Sequence, residues 1–487
     1  MDKGWKSQYG FIWAVLGSVV GFANVLSFSS QCYYNGGGAF LIPYFVAYML
    51  LGIPLLILEG LIGQKFRKPL VSSYVTPLRK YIGWIAVLSC LTIGAFYIVL
   101  TSYSLIYAYF GATGSISLDT ARFFKEDFLH ATHAVGDFGS FSVLIWSVVC
   151  LIGMGVWWVL IKDISEGIEK ICSFMMPLLA LLVIIFALVA SFLPGAMEGI
   201  RHFLSPDFSK LTDLSLWRNV FGQLFFSLSL GLGIITGYAQ YNGEKIQLKK
   251  AMSLIAVGDF VISFIAGWVV FACVGYMSYL KGIPFNQIIA SDSAFEIGFI
   301  VFPKILQTFT PFLQPLFGLL FFFCIFIAGI TGVFSIVESV AGNVQREFAL
   351  SRRSAVTLSL FAIGGCATFF CFGNGQMLIG ALAPMVLGMT MIFSALFEIV
   401  IFLYFTKAIK DDPIWFVGER RNWMYGSLRF FIPFILFAIL VGSIIAEFQV
   451  IDASFYLRWA WFGGVSLLAV FLIRSATELH FKLNRVV

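Results

Sequence analysis

Long apolar runs, interrupted by short clusters of charge and by Pro and Gly, divide the chain into twelve segments: 11–31, 38–63, 82–110, 141–161, 171–193, 217–241, 252–280, 312–340, 355–372, 377–406, 428–447 and 454–475. Each is close to or above the ~20 residues that a helix needs to cross a hydrocarbon core ~30 Å thick. Two of the runs are broken at mid-length. In 11–31 (FIWAVLGSVVGFANVLSFSSQ) Gly17, Ser18, Gly21, Asn24 and Ser27 fall near the centre; in 217–241 Ser227, Ser229, Gly231 and Gly233 do. In lipid an unpaired backbone amide costs several kcal/mol, so a helix is weakened at that depth only where it is buried in protein or borders a polar cavity.

Small residues also let helices pack closely, which accounts for one break taken alone. Two central breaks five spans apart are the pattern of inverted repeats that meet at a midplane site. The chain is therefore expected to be an all-α polytopic membrane protein with twelve transmembrane helices, an inverted 5+5 repeat and broken helices one and six. The first repeat covers 11–193, the second 217–406, and 428–475 adds helices eleven and twelve within a single membrane domain.

Composition fixes the class. Of 487 residues, 60% are hydrophobic and 11% charged, with mean hydropathy +0.94, which excludes a water-soluble fold. The net charge of +6 follows topology. Lys3 and Lys6, Lys65 to Lys80, Lys245 to Lys250, Arg346 to Arg353 and Lys407 to Arg421 lie in loops on one side of twelve crossings. By the positive-inside rule that side is cytoplasmic, so both termini are placed in the cytoplasm of a cell inner (plasma) membrane. No nucleic-acid partner is implied. The eight cysteines lie mostly within spans and form no CxxC or Cys/His pattern; with no nucleophile–base pair or metal cluster at mid-membrane, an enzyme is not expected.

Three features complete the residue-level reading. Glu59 sits near the basic loop 65–68 and predicts a structural ion pair. Tyr97, near mid-span and on one helix face with Ile93, needs a partner for its hydroxyl. Segments 111–140 and 195–216 read as outer loops, and 281–311, too polar at Asn286, Asp292 and Glu296 to span, reads as a helical hairpin lying over the outer mouth.

The pieces GSVVGFANVLSF, NGGGAFLIPY, AFYIVL, QLFFSLSLGLG, IAGITG and REFALSRR, in this order, give the chain its likeness to a family. Over residues 5–478 it resembles the neurotransmitter:sodium symporters, in their bacterial amino-acid transporter form. The resemblance implies symport of a small-molecule substrate with sodium by alternating access, in membrane lipid and with no obligate protein partner. The Phe22 and Ala23 amides and the Tyr97 hydroxyl are implied to hold a substrate carboxylate. The Val19, Phe226 and Ser227 carbonyls and the Ser229 hydroxyl are implied to receive its ammonium. Ile93, Tyr97, Phe226, Leu232, Gly332, Val333 and Ile336 are implied to surround its side chain. A first sodium is implied at Val19, Asn24, Ser227 and Asp259, and a second at Gly17, Val20, Ala328 and Thr331. Tyr44, Gln223, Ser227 and Ser263 match the chloride-holding cluster of chloride-dependent relatives.

Several positions depart from the family pattern. Gly21 stands where monoamine carriers have an aspartate, which favours an amino acid over an amine. Leu232 and Gly332 replace Phe and Ser, which predicts a roomier pocket for bulky hydrophobic or aromatic side chains. Gly332 also removes one hydroxyl from the second sodium set. Asp259 replaces an asparagine, so it supplies an anion in place of chloride or carries a proton; chloride is left open. The outer Arg–Asp pair maps to Ser27 and Ala383, leaving closure to Tyr97 with Phe226. The inner pair maps to Asp2 and Arg346, with its signs exchanged, near Tyr241. Proton-coupled transport through Asp259 and substrate sensing without transport are the alternatives.

Overall fold

The computed structural model describes residues 4–289, 297–310 and 312–486 and is almost wholly helical. Ten of its helices are long and apolar enough to cross a membrane. They serve as span two (Gly38–Phe66), three (Pro77–Thr113), four (Val143–Leu160), five (Ser165–Ser191) and seven (Leu248–Lys281), then eight (Gln314–Glu347), nine (Arg352–Cys371), ten (Gly375–Tyr404), eleven (Trp423–Glu447) and twelve (Ala453–Phe481). Span one is a pair of helices, Gln8–Val19 and Ala23–Tyr34, bent by 57°. Leu214–Ser227 and Ile234–Ala239 flank the unwound stretch 228–233; counted together as span six, they complete the expected twelve. Phe416–Val417 pairs with Arg420–Arg421 as a two-stranded ribbon between spans ten and eleven.

Burial separates inner from outer helices. The apolar windows of spans three and eight are 89% and 83% buried, against 17% for spans eleven and twelve. Because lipid tails are as apolar as Leu, the inner pair is held by close packing of small residues. Gly111 and Gly318 meet where these helices cross: a Cβ on Gly111 would lie 2.8 Å from the Gly318 backbone, and one on Gly318 would lie 3.0 Å from the Gly111 backbone.

The outer loops hold more structure than the sequence pattern shows. Segment 195–216 contains a helix, Ala196–Leu204, and a 3-10 turn, Phe208–Thr212. Gly199 lets that helix dock on span seven, since a Cβ there would sit 1.9 Å from the Phe271 carbonyl oxygen. Of the expected hairpin over 281–311, Phe285–Gln287 and the helical run Ile297–Leu306 are seen. Asp292 and Glu296 lie outside the described residues. The seen parts pack on span one, where the Tyr33 hydroxyl donates to the Phe285 carbonyl at 2.6 Å, and on span eight, where Phe302 stacks on Phe321 at 4.1 Å.

Gly111→Leu is expected to push spans three and eight apart at a cost of about 1–3 kcal/mol and to lower the melting temperature of the detergent-purified protein. Gly442→Leu on span eleven, where a Cβ meets nothing within 4 Å, serves as control. Equal melting of the two variants, read by tryptophan fluorescence on heating, sinks this account of the inner pair.

Candidate functional site

The two breaks differ in backbone form. Span one ends its first half at Val20, which is extended (φ −79, ψ 103), and resumes as a π-turn from Ala23. Span six unwinds through three left-handed residues in five, Ser229, Gly231 and Gly233, with φ of 52, 74 and 71°. Glycine takes this region at no steric cost, whereas Ser229 does so against its Cβ.

Each break is tied down by side chains. The Gly21 amide donates to Asn24 Oδ1 (2.8 Å) and the Gly231 amide to Glu59 Oε1 (2.8 Å). The Ser229 hydroxyl donates across to the Ser18 carbonyl at 3.2 Å, and Gln223 Nε2 to the Ala23 carbonyl at 2.7 Å. This corrects the reading of Glu59. It is fully buried and takes the Gly231 amide of the unwound stretch of span six, while Lys65 of the basic loop pairs instead with Asp412 at 3.0 Å. A carboxylate near a basic loop in sequence points equally well into the protein, and here the Gly231 amide, released by the unwinding, claims it.

Between the breaks lies a cavity of about 20 Å³, room for about one water molecule. Val19, Ala23, Ile93, Tyr97, Phe226, Ser229, Leu232, Gly332 and Ile336 line it, together with Ser18, Gly21, Ile234 and Ser335. Phe22, Ser227 and Val333 lie outside the lining. The Tyr97 side chain accounts for the small volume. Its hydroxyl accepts the Phe22 amide at 3.3 Å, and its ring packs on Phe22 at 4.7 Å. A Cβ on Gly21 would lie 2.1 Å from the Tyr97 hydroxyl oxygen, and one on Gly332 2.8 Å from the same atom. The space freed by Gly332 is thus filled by Tyr97, not left as a wider pocket.

Beside the cavity the fold closes a ring of buried polar groups. Asn24 Nδ2 lies 2.7 Å from Asp259 Oδ1, 2.8 Å from Ser263 Oγ and 3.0 Å from Ser227 Oγ. The Ser227 hydroxyl donates to Asp259 Oδ2 at 2.8 Å, and the Tyr48 hydroxyl donates to the same oxygen. All five residues are buried. An amide nitrogen has two hydrogens to share among these three acceptors. The oxygens are those a hard cation takes, but Asn24 turns its oxygen to Gly21, so a cation here requires that amide to turn over.

Tyr48 is the member that sequence reasoning missed; it follows Tyr44 by one helical turn, and both face span seven. The Tyr44 hydroxyl is buried without a hydrogen-bond partner, its ring 5.2 Å from that of Tyr48. Gln223 takes the Ser27 hydroxyl at 2.8 Å in addition to donating to Ala23. Of the four residues matched to a chloride cluster, Ser227 donates directly to a carboxylate that already takes three donors, and Ser263 shares the Asn24 amide nitrogen with it. A second anion 4 Å from it would be repelled by about 4 kcal/mol at an effective dielectric constant of 20, so the donor set does not fit added chloride while Asp259 is ionised.

The second expected ion set is also drawn together. A Cβ on Gly17 would touch Thr331 Cβ at 3.2 Å, and the Thr331 hydroxyl lies 2.9 Å from the Ile327 carbonyl and 3.3 Å from that of Ala328. Val20, with its extended ψ, stands one residue past the helix end.

Vestibules lie at both ends of the site. The one towards Gln31 measures about 440 Å³ and is lined by Ser27, Gln223 and Phe226, with Arg218 and Glu447 at its rim. Phe226 borders both this vestibule and the central cavity, so it is the partition; Tyr97, its expected partner in closure, packs on Phe22. The other vestibule, about 890 Å³, is lined by Gly4, Arg67, Tyr241, Arg346 and His480, which places both ends of the chain on one side.

Asp2 lies outside the described residues, and Arg346 is exposed on that wall. The ion pair seen between this vestibule and the core was not anticipated. Arg352 grips Glu338 with both terminal nitrogens (2.9 and 2.5 Å) and donates from Nε to the Leu160 carbonyl at 2.8 Å; Tyr241 donates to the same carboxylate at 3.0 Å. Glu338 lies near the end of span eight, 14 residues before Arg352, and only the helix-to-helix turn after that span brings them together. The N-terminal segment closes the same side. Trp5 Nε1 donates to the Tyr238 carbonyl (3.0 Å), and Lys6 pairs with Glu166 (2.5 Å), which raises the lysine above its ordinary pKa.

Comparison with known proteins agrees over nearly the whole chain. The profile of the sodium:neurotransmitter symporter family matches residues 2–120 and 112–483. A sodium-dependent transporter of Methanocaldococcus jannaschii is 36% identical over 413 aligned positions, covering 82% of each chain. The sodium-dependent dopamine transporter of Bos taurus is 28% identical, covering 98% of this chain and 74% of its own length. The sodium- and chloride-dependent creatine transporter 1 of Bos taurus is 26% identical, covering 94% and 79%.

Two measurements check the geometry. Removing the Tyr48 hydroxyl deletes a hydrogen bond to a charged group, worth about 1.5–3 kcal/mol; Tyr48→Phe is expected to weaken sodium-dependent thermal stabilisation by at least about tenfold in concentration, and an unchanged sodium midpoint removes Tyr48 from the site. Arg352→Gln leaves Glu338 buried without its cation, a loss of about 3–5 kcal/mol. It should open the lower side, so that a water-soluble maleimide reaches Cys172, which packs near Gly17. Peptide mass spectrometry showing Cys172 equally protected in both proteins refutes the latch.

Proposed function

The chain belongs to the sodium:neurotransmitter symporter family, and from that premise we propose that it carries a neutral amino acid with a bulky apolar side chain, coupled to sodium by alternating access. The observation that carries this reading is Tyr97 standing on the Phe22 amide. A helix N-terminus offers amide hydrogens and partial positive charge to an anion, and a C-terminus offers carbonyls to a cation. At the break of span one this complement awaits a carboxylate, and the Tyr97 oxygen takes its place. Across the cavity the Ser229 hydroxyl and the carbonyls of Val19, Phe226 and Ser227 suit an ammonium.

No ionisable carboxyl or basic side chain lines the cavity, so a zwitterion balances its own charges there. Ile93, Leu232, Ile234, Ile336 and Phe226 form the apolar wall. When Tyr97 leaves, the space over Gly21 and Gly332 becomes substrate space, which supports a large side chain.

Sodium is the co-substrate. Asp259, Asn24 and Ser227, with the Val19 carbonyl, form its first site, and Asp259 supplies the anion that chloride brings elsewhere. Gly17, Val20, Ala328 and Thr331 form the second, short of one hydroxyl at Gly332. The repeats 11–193 and 217–406 move about this centre, with 428–475 to one side. Ions and substrate shift such an equilibrium only by binding one state better than the other. The N-terminal segment, with Lys6 paired to Glu166, and the Arg352–Glu338 pair on the same side face the cytoplasm of the inner (plasma) membrane. Proton coupling is the second reading, favoured by one observation: the ring around Asp259 closes on itself by hydrogen bonds.

Uptake of radiolabelled amino acids into proteoliposomes separates these readings. A sodium gradient is expected to drive accumulation of leucine, phenylalanine or tryptophan in preference to glycine, with no effect of chloride. Asp259→Asn is expected to lower uptake and make the remainder chloride-stimulated. Accumulation driven by a proton gradient without sodium, a preference for glycine or alanine, or binding without uptake each overturns the proposal.

A further inference from the structure

A separate recess lies away from the transport path, between spans three, four and nine. It measures about 730 Å³ and is walled by Ile98, Trp146, Met154, Leu360 and Phe361. Gly153, Gly364 and Gly365 line it as well, and a Cβ on any of them would meet nothing within 4 Å. These glycines hollow the surface; they do not bring helices together. Met154 and Phe361 are 62% and 74% exposed, and on membrane-crossing helices such exposure faces lipid.

One end of this groove is cationic. Arg353 lines it with its guanidinium 5.3 Å from the Trp157 ring centre, and Lys162 holds its ammonium 3.2 Å from that of Trp158. Arg352, bonded to the Leu160 carbonyl, brings the start of span nine against the end of span four, where Lys162 follows. The Trp157 indole donates to Thr357 at 2.9 Å and fixes that wall. Arg352 is committed to Glu338, but among the described residues no carboxylate pairs with Arg353 or Lys162. The Trp157 face holds the Arg353 cation in place at the mouth of an apolar channel, and Lys162, held over Trp158 two residues past Leu160, stands beside that lining.

From this geometry we propose that the groove is a binding site for an anionic glycerophospholipid. One acyl chain lies along Gly153, Gly364 and Gly365, and the phosphate sits between Arg353 and Lys162. The fifteen helical steps from Arg353 to Thr368 span about 22 Å, more than the ~15 Å that one leaflet contributes to the hydrocarbon core. Arg presents a planar fork to phosphate oxygens, and a basic pocket at the end of an intramembrane groove selects lipids of net negative charge. Ile98 lines the groove one residue after Tyr97, so the acyl chain bears on the helix that holds the substrate wall.

Native mass spectrometry of the protein released from detergent tests this, with phosphatidylglycerol and phosphatidylcholine of the same acyl chains as probes. Phosphatidylglycerol adducts are expected at a concentration at least fivefold lower than phosphatidylcholine adducts. Combining Arg353→Gln with Lys162→Gln should remove that preference, and Gly365→Leu, which fills open space, should reduce retention of both lipids without lowering the melting temperature. Equal retention of the two lipids by the unaltered protein, or adducts unchanged in Gly365→Leu, overturns the proposal. So does a dimer that Gly365→Leu dissociates, since the groove then holds a second copy of the chain. The charge-altered variant changes only exposed or half-exposed side chains, so the selectivity test stands even where Gly365→Leu fails to fold.

Discussion

Backbone amides and carbonyls released at mid-membrane must find partners inside the protein, and that requirement organises the structure around the two broken spans. No water is at hand to take them, so neighbouring side chains do. Asn24 holds Gly21, Glu59 holds Gly231, Gln223 holds Ala23 and Ser229 holds Ser18. Each of these bonds costs a polar or charged side chain its own solvation, a price accepted only where the unwound backbone has a use. The remaining spans form a scaffold that keeps this small polar region dry.

Three buried acids illustrate how position sets role. Glu338 faces Arg352 in bidentate contact with Tyr241 beside it, an arrangement that satisfies a carboxylate fully and makes its rupture expensive. Glu59 spends one oxygen on a backbone amide, and its other oxygen has no partner. Asp259 collects an amide and two hydroxyls but no cationic side chain. Of the three it is the one whose surroundings offer oxygens to a small cation, because its donors, the amide once turned over, are all able to present lone pairs instead.

Spans and breaks were legible in the sequence because they rest on strong local signals: apolar length, and central Gly and Ser. The lining of the central cavity was legible through resemblance, since Ile93 and Tyr97 of span three and Phe226 and Leu232 of span six belong to two separate spans that no periodicity links. What escaped were pairings fixed by tertiary geometry. Glu59 reads as a partner for nearby lysines until the unwound span six delivers an amide to it. Tyr48 looks like one more aromatic in an aromatic-rich span, and Glu338 and Arg352 belong to two helices whose crossing only the fold defines. Gly332 was read for the space it leaves, whereas the fate of that space was decided by Tyr97, a residue on another helix.

On the proposed reading, that same tyrosine joins substrate recognition to movement. Withdrawing Tyr97 without replacement strands the buried Phe22 amide, at a cost of about 1–3 kcal/mol, and empties the space over Gly21 and Gly332. A ligand with a carboxylate but no side chain repairs the first loss and leaves the second; an apolar molecule of the right bulk does the reverse. Only a molecule carrying both groups offsets both, and so only it populates the rearranged state. Phe226, which borders the central cavity and the vestibule together, then rests against that side chain. Selectivity and gating thus follow from one displacement, and the outer Arg–Asp pair that this chain lacks is not needed to link them.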